Sequence, residues 1–212
     1  MSGLIAKELK KHIPFTAFGA LTGIVLMAIF YNLSYSVAYK AFYFLHPLHV
    51  VLSAMVTAAM YKNYKCANDK KKRNIVTLLI VGFVGSIGIA TLSDSILPYL
   101  GERLLNMEHA EPHVGFIEKW NIIFPLAGLG IAIAYIYPKT QFPHAGHVLI
   151  STWASLFHIL MANTRPLSFF VSLGIFLFLF LAVWVPCCIS DIVFPLLFVG
   201  NKETTKAKGT DL

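Results

Sequence analysis

A chain of 212 residues that is 57% hydrophobic and 13% charged, with a mean hydropathy of +0.70, lies outside the range of soluble domains. Its net charge of +7 comes from basic residues gathered between apolar runs, so it reports membrane topology and excludes a nucleic-acid footprint. The composition predicts an all-α, multi-pass protein of the cell membrane, with the lipid bilayer as its first partner.

Six apolar runs approach or exceed the roughly 20 residues that a helix needs to cross the hydrocarbon core. The spans are expected at roughly 14–36, 43–61, 75–97, 121–138, 144–162 and 167–199. Lys7, Lys10 and Lys11 precede the first run, which is too long for a signal-peptide core and is expected to stay as a span. The second opens with Phe42, Tyr43 and Phe44, placed as an interfacial belt, and with Pro47 in its first turn. Lys62, Lys65, Lys70, Lys71, Lys72 and Arg73 follow it, together with Cys66.

The third run ends in LSDSILPYL, and residues 98–119 follow as a loop holding Glu108, His109, Glu111 and His113. The fifth opens with Pro143 in its first turn. The sixth is long for one crossing and is expected to tilt or bend near Pro186. Adjacent Cys187 and Cys188 fall late in it, and with three cysteines in all no disulfide framework is expected. Lys202, Lys206 and Lys208 close the chain. With six spans, every basic segment falls on one side, which puts both termini in the cytoplasm and residues 98–119 outside.

Two motifs recur. HPLHVVLS begins at His46 and HAGHVLIS at His144, 98 positions later. Ser-Asp-x-x-x-Pro occurs at 93–98 and at 190–195, so the aspartates follow the first histidine of their units by 48 and 47 residues. The first and fourth runs match more weakly, Ala20, Gly23 and Ile24 against Ala127, Gly130 and Ile131. The chain therefore divides into a first three-helix unit, 1–100, a Glu/His loop, 101–119, a second unit, 120–200, and a polar tail, 201–212. Because three crossings is an odd number, the second unit enters from the opposite side. In layout the chain resembles small inverted-repeat cation transporters, which implies a shared polar region between the halves.

Polar residues on the fifth run, His144, His147, Ser151, Ser155 and His158, keep to one side of a helix, as do His46, His49, Ser53 and Thr57 on the second. Ionisable groups at membrane depth face the bundle interior, a partner or a cavity. The topology groups His46, His49 and Asp94 near the outer surface, and His144, His147 and Asp191 near the inner one. His158 lies about 21 Å along its helix from His144, nearer the outer group.

A His/His/Asp set suits a divalent transition metal, and residue types alone do not choose among zinc, manganese, iron, nickel, cobalt and copper. Met60, Cys187 and Cys188 would soften the inner environment towards copper or zinc. Glu108, His109, Glu111 and His113 are a candidate capture site for an arriving cation. The same groups suit a proton relay, since imidazole titrates near neutrality. The leading expectation is thus a transporter or conduit for a divalent metal, protons or both, and not an enzyme. A homodimer fits repeats this small. The alternatives are an intramembrane metalloenzyme, with His46, His49, Asp94 and His158 holding a metal that activates water, and a haem- or copper-binding electron-transfer or assembly protein. HExxH, P-loop, Rossmann, CxxCH and GxSxG motifs are all lacking.

Overall fold

The computed structural model describes residues 2–30, 33–66, 74–138, 141–162, 168–189 and 193–198, and the side chains of all of these but 2–12, 15, 64–66, 141–145, 188 and 196. These residues are helical, with no strand among them. The order is α1 (Ser2–Phe30), α2 (Tyr35–Cys66), α3 (Ile75–Thr91), a π-helical turn (Leu92–Ile96), α4 (Leu97–Leu104), α5 (Gly115–Glu118), α6 (Trp120–Ile136), α7 (Gln141–Ala162), α8 (Phe169–Cys188) and α9 (Phe194–Leu197).

Three stretches, Tyr35–Asn63, Ile75–Leu104 and Phe169–Cys187, are long and apolar enough to cross a membrane, and Thr16–Phe30, Trp120–Ile136 and Gly146–Ala162 are shorter apolar helices. Helix formation follows from the solvent such segments need: without water, backbone N–H and C=O groups must pair within the segment. Local caps set two starts. Asn74 Oδ1 accepts from the Val76 and Thr77 amides at 3.1 and 3.4 Å, and Ser168 Oγ accepts from the Val171 amide.

α2 and α7 form the centre of the bundle and pack on each other more extensively than any other pair. They run antiparallel, since Phe42 of α2 touches His158 of α7 while His49 touches His147. Around this pair, α2 packs on α6 and α7 on α1, while α3 packs on α6 and α8 on α1. Small residues allow the close approaches. A side chain at Gly130 of α6 would fall on the Val51 carbonyl oxygen and Ala54 of α2, and one at Gly19 of α1 would fall on the Thr152 hydroxyl of α7. Outward faces carry Phe18, Leu21 and Ile29 on α1, Ile75, Val76 and Ile80 on α3, and Phe169, Phe170 and Leu177 on α8, all exposed. Such an apolar surface suits lipid.

Several boundaries differ from expectation. α1 begins well before residue 14 and ends at Phe30. α2 begins at Tyr35, so Pro47 lies inside the helix and not in its first turn. Phe42 is consequently a fully buried core residue, not part of an interfacial belt. The third span does not end near Ile96 but continues to Leu104, which turns the start of the expected outer loop into helix.

The physical reason for that continuation is the π turn. The Leu97 amide bonds the Leu92 carbonyl, five residues back. The next donor in that wide series would belong to residue 98, which is proline and has none. The Ser93 carbonyl is taken instead by Ser155 Oγ of α7 at 2.9 Å. Pro98 therefore sits where its missing N–H costs nothing, at the start of α4. In the second Ser-Asp-x-x-x-Pro copy, Ile189 and Val193, which correspond to Leu92 and Ile96, are also π-helical. Ser190, Asp191 and Ile192 between them lie outside the described residues.

Candidate functional site

The π turn aims Asp94 into the bundle, where it is completely buried. Its Oδ2 lies 3.0 Å from His46 Nδ1 and 2.7 Å from His49 Nδ1. Its Oδ1 accepts from Ser93 Oγ and Ser151 Oγ, each at 2.7 Å. A carboxylate is an acceptor-only group with about four lone-pair sites, so four donors saturate it and both imidazoles must present Nδ1–H. Burying one charge costs several kcal/mol on its own. Four donors in fixed positions offset that cost.

This tautomer leaves Nε2 of each ring as the available lone pair. His49 Nε2 is buried and accepts no hydrogen bond. The His49 ring lies flat against that of His147 on α7, with centroids 5.7 Å apart and planes within 4°. Cys187 of α8 completes the group: ligand atoms of His49, His147 and Cys187 lie within 4.8 Å of one another, and all three residues are buried. No other trio of His, Cys, Asp or Glu among the described residues converges in this way. Two imidazoles and a thiolate suit zinc or copper better than hard cations. Asp94 stands behind His49 in the position of a carboxylate that would orient the ring, through its other nitrogen, for a metal.

The structure brings His46, His49 and Asp94 together, at hydrogen-bonding distances that leave no room for an ion between them. His147, expected near the inner surface and apart from them, instead stacks on His49, because α2 and α7 pack antiparallel along their length. The His144 side chain and Asp191 lie outside the described residues. Ser151 and Ser155 serve the Asp94 turn directly, whereas Ser53 and Thr57 are buried along α2, Thr57 beside Gly85 of α3. Met60 packs against the core cluster that includes Ile131 and Ala134, whereas Cys187 belongs to the cluster with Val148 and Val183.

A second buried group lies farther along α7. His158 Nδ1 is 2.7 Å from Glu102 Oε1, and His158 Nε2 accepts the His113 amide at 3.3 Å. Both nitrogens of His158 are therefore engaged. The Phe42 ring stands between the groups, stacked on His46 at 5.3 Å and edge-on to His158 at 5.3 Å. Gly115 closes over His46, where any side chain would overlap the imidazole. Of the expected capture site, His113 reaches this region; Glu108, His109 and Glu111 are exposed, and Glu111 lies near enough to Tyr35, a partner of His113, for its charge to act on the phenol.

Sequence reasoning passed over Glu102 because it ended the third span at residue 97 and left 98–119 as a loop, and the π turn alters the register beyond that point. Two turns of α7 separate Ser151 from His158 by seven residues, while the facing acids, Asp94 and Glu102, are eight apart. The extra residue is the one the wide turn inserts. A regular α-helical count from Asp94 selects Gly101 instead. No known protein family, curated protein or solved structure matches the chain.

Proposed function

We propose that this chain is an integral membrane transporter of a borderline-to-soft transition-metal ion, of the zinc and copper class. Two inverted three-helix units hold the ion between them at His49, His147 and Cys187 and expose it to each side in turn. The observation that carries this reading is the stacking of His49 on His147. They are the second histidines of the two HxxH copies, so equivalent positions of the two units meet face to face on a buried donor set.

The packing supports an inverted repeat. α2 rests on α6 as α7 rests on α1, and α3 rests on α6 as α8 rests on α1. Gly130 against Ala54 in one half corresponds to Gly23 against Thr152 in the other. Equivalent helices α2 and α7 run antiparallel, as units of opposite orientation require. Ion sites at the interface of such repeats, near the bilayer midplane, suit alternating access by rocking one unit against the other. In this reading the termini are cytoplasmic, six helices cross the bilayer, and Asp94 keeps His49 in the metal-binding tautomer.

The test is zinc flux into sealed vesicles containing the purified protein and an entrapped zinc dye. Saturable flux is expected from the wild type, and His49→Ala and His147→Ala should each abolish it. Undiminished flux in His147→Ala would refute a path between the two units.

A further inference from the structure

Among the described residues, Asp94 and Glu102 are the two fully buried acids, and their surroundings differ. Asp94 has four donors. Glu102 has His158 on Oε1, while Oε2 is buried and without a hydrogen-bond partner. A charged carboxylate with a bare oxygen is costly in such a place. A proton on Oε2 removes the cost, while Oε1 keeps accepting from His158 Nδ1–H, because His158 Nε2 already accepts the His113 amide.

We propose that Glu102 and His158 form a proton-exchange site, opened to the outer loop through His113, which loads a proton in exchange for the transported metal. The proposal rests on the transport reading for its exchange partner. Its step is one proton bound from one side and released to the other, with no covalent change.

The route outward runs through His113. The His113 ring stands 5.6 Å from that of His158, and it reaches Tyr35 Oη at 3.3 Å and Glu118 Oε1 at 3.4 Å. Glu118 is one-third exposed. Inward, Phe42 contacts His158 and His46 without a hydrogen bond, so the proton site is insulated from the Asp94 network. Mechanical linkage remains, because α7 carries both His147 and His158, and the stretch from the π turn through α4 carries both Asp94 and Glu102.

Groups facing the pair come from each neighbouring element. The loop brings His113 and, beside Tyr35, Glu111; α5 brings Glu118, with Lys119 just after it; and α2 brings Tyr35, with Tyr39 edge-on to His113 at 5.8 Å. Lys119 itself lies over the Tyr39 and Tyr43 rings. α8 places Phe178 against Gly101 and has no charged side chain between Phe169 and Cys188. On the acid's own helix, Arg103 is exposed.

Infrared difference spectra of the reconstituted protein across an acid pH jump test the site itself. A carboxylic-acid carbonyl band is expected on acidification, lost in Glu102→Gln and kept in Glu111→Gln, whose acid is exposed. Identical spectra for wild type and Glu102→Gln would overturn the proposal. A second arm follows zinc and protons together in the same vesicles. Wild-type zinc flux should be accompanied by opposite proton movement, and Glu102→Gln should bind zinc unchanged and lose the proton movement. Proton movement surviving in Glu102→Gln overturns the exchange; no zinc flux in the wild type overturns the transport reading, and the infrared band alone then decides the proton site.

Discussion

The imidazoles of His49 and His147 lie parallel, 5.7 Å apart at their centroids and within 4° of coplanar orientation. They are the second histidines of the two HxxH copies, on α2 and α7. Cys187 stands beside them, whereas the residue at the same spacing before the other Ser-Asp motif is the buried Ala90. In the proposed transporter the thiol would therefore come from one half alone.

Cys187→Ser should weaken zinc and copper binding by more than the roughly 10- to 100-fold typical of losing an outer-shell group. Affinity should also fall as pH is lowered, because imidazole and thiol must shed protons to bind metal. Competition against a chelator of known affinity, at two pH values, measures both effects. Equal zinc affinity in Cys187→Ser and wild type would remove the thiol from the site.

Asp94→Asn tests tautomer control. The amide nitrogen would face donors, and the cheapest relief is for an imidazole to move its proton from Nδ1 to Nε2. For His49 that step covers the lone pair a metal needs. Metal affinity is expected to fall about 10- to 100-fold while the protein still folds. Asp94→Ala, which leaves four donors without their acceptor, should lose about 3–5 kcal/mol of stability, read from thermal unfolding in detergent. Full zinc affinity in a folded Asp94→Asn would show that the carboxylate does not act through His49.

Ser155→Ala removes the hydroxyl that serves the Ser93 carbonyl where Pro98 supplies no N–H. Stability should drop by about 1–3 kcal/mol, the cost of leaving a buried acceptor unsatisfied. Ser155→Thr should restore most of it. If Ser155→Ala is neutral, the π turn holds without help from α7.

Two glycines give opposite expectations. Gly130→Ala pushes α6 off α2 at the Val51 carbonyl and should cost about 1–3 kcal/mol, as overpacking does. Gly88→Ala has nothing within 4 Å of the added methyl, so its higher helix propensity should make it neutral or stabilising by up to about 1 kcal/mol. Thermal unfolding of the two variants side by side checks the packing of α2 on α6.

Much of this site was legible in the chain. The repeated HxxH, the spacing to Ser-Asp-x-x-x-Pro and the one-sided polar stripe singled out His46, His49, Asp94, His147, Ser151 and Ser155, which the bundle brings together. What the residues do was not legible. Spacing cannot tell whether an aspartate binds an ion or orients the histidines that would, and that distinction rests on 2.7 Å and 3.0 Å contacts to Nδ1. Pro47 read as a helix start because proline favours the first turn, yet the long helix accommodates it internally. Glu102 escaped because the third span was expected to end at residue 97, which left the acid in a loop, whereas the π turn lets the helix run on past Pro98. Phe42 read as an interfacial aromatic, whereas its neighbours His46 and His158 draw it into the core.

The transport proposal depends on one coordination event, a metal held by two imidazoles and one thiolate from three helices. X-ray absorption at the zinc edge of the loaded, purified protein reads that event directly. Nitrogen scatterers near about 2.0 Å and one sulfur near about 2.3 Å are expected, with the sulfur shell lost in Cys187→Ser and a nitrogen lost in His147→Ala. A zinc shell of oxygen and nitrogen alone, unchanged in both variants, would contradict a metal centre between the two units.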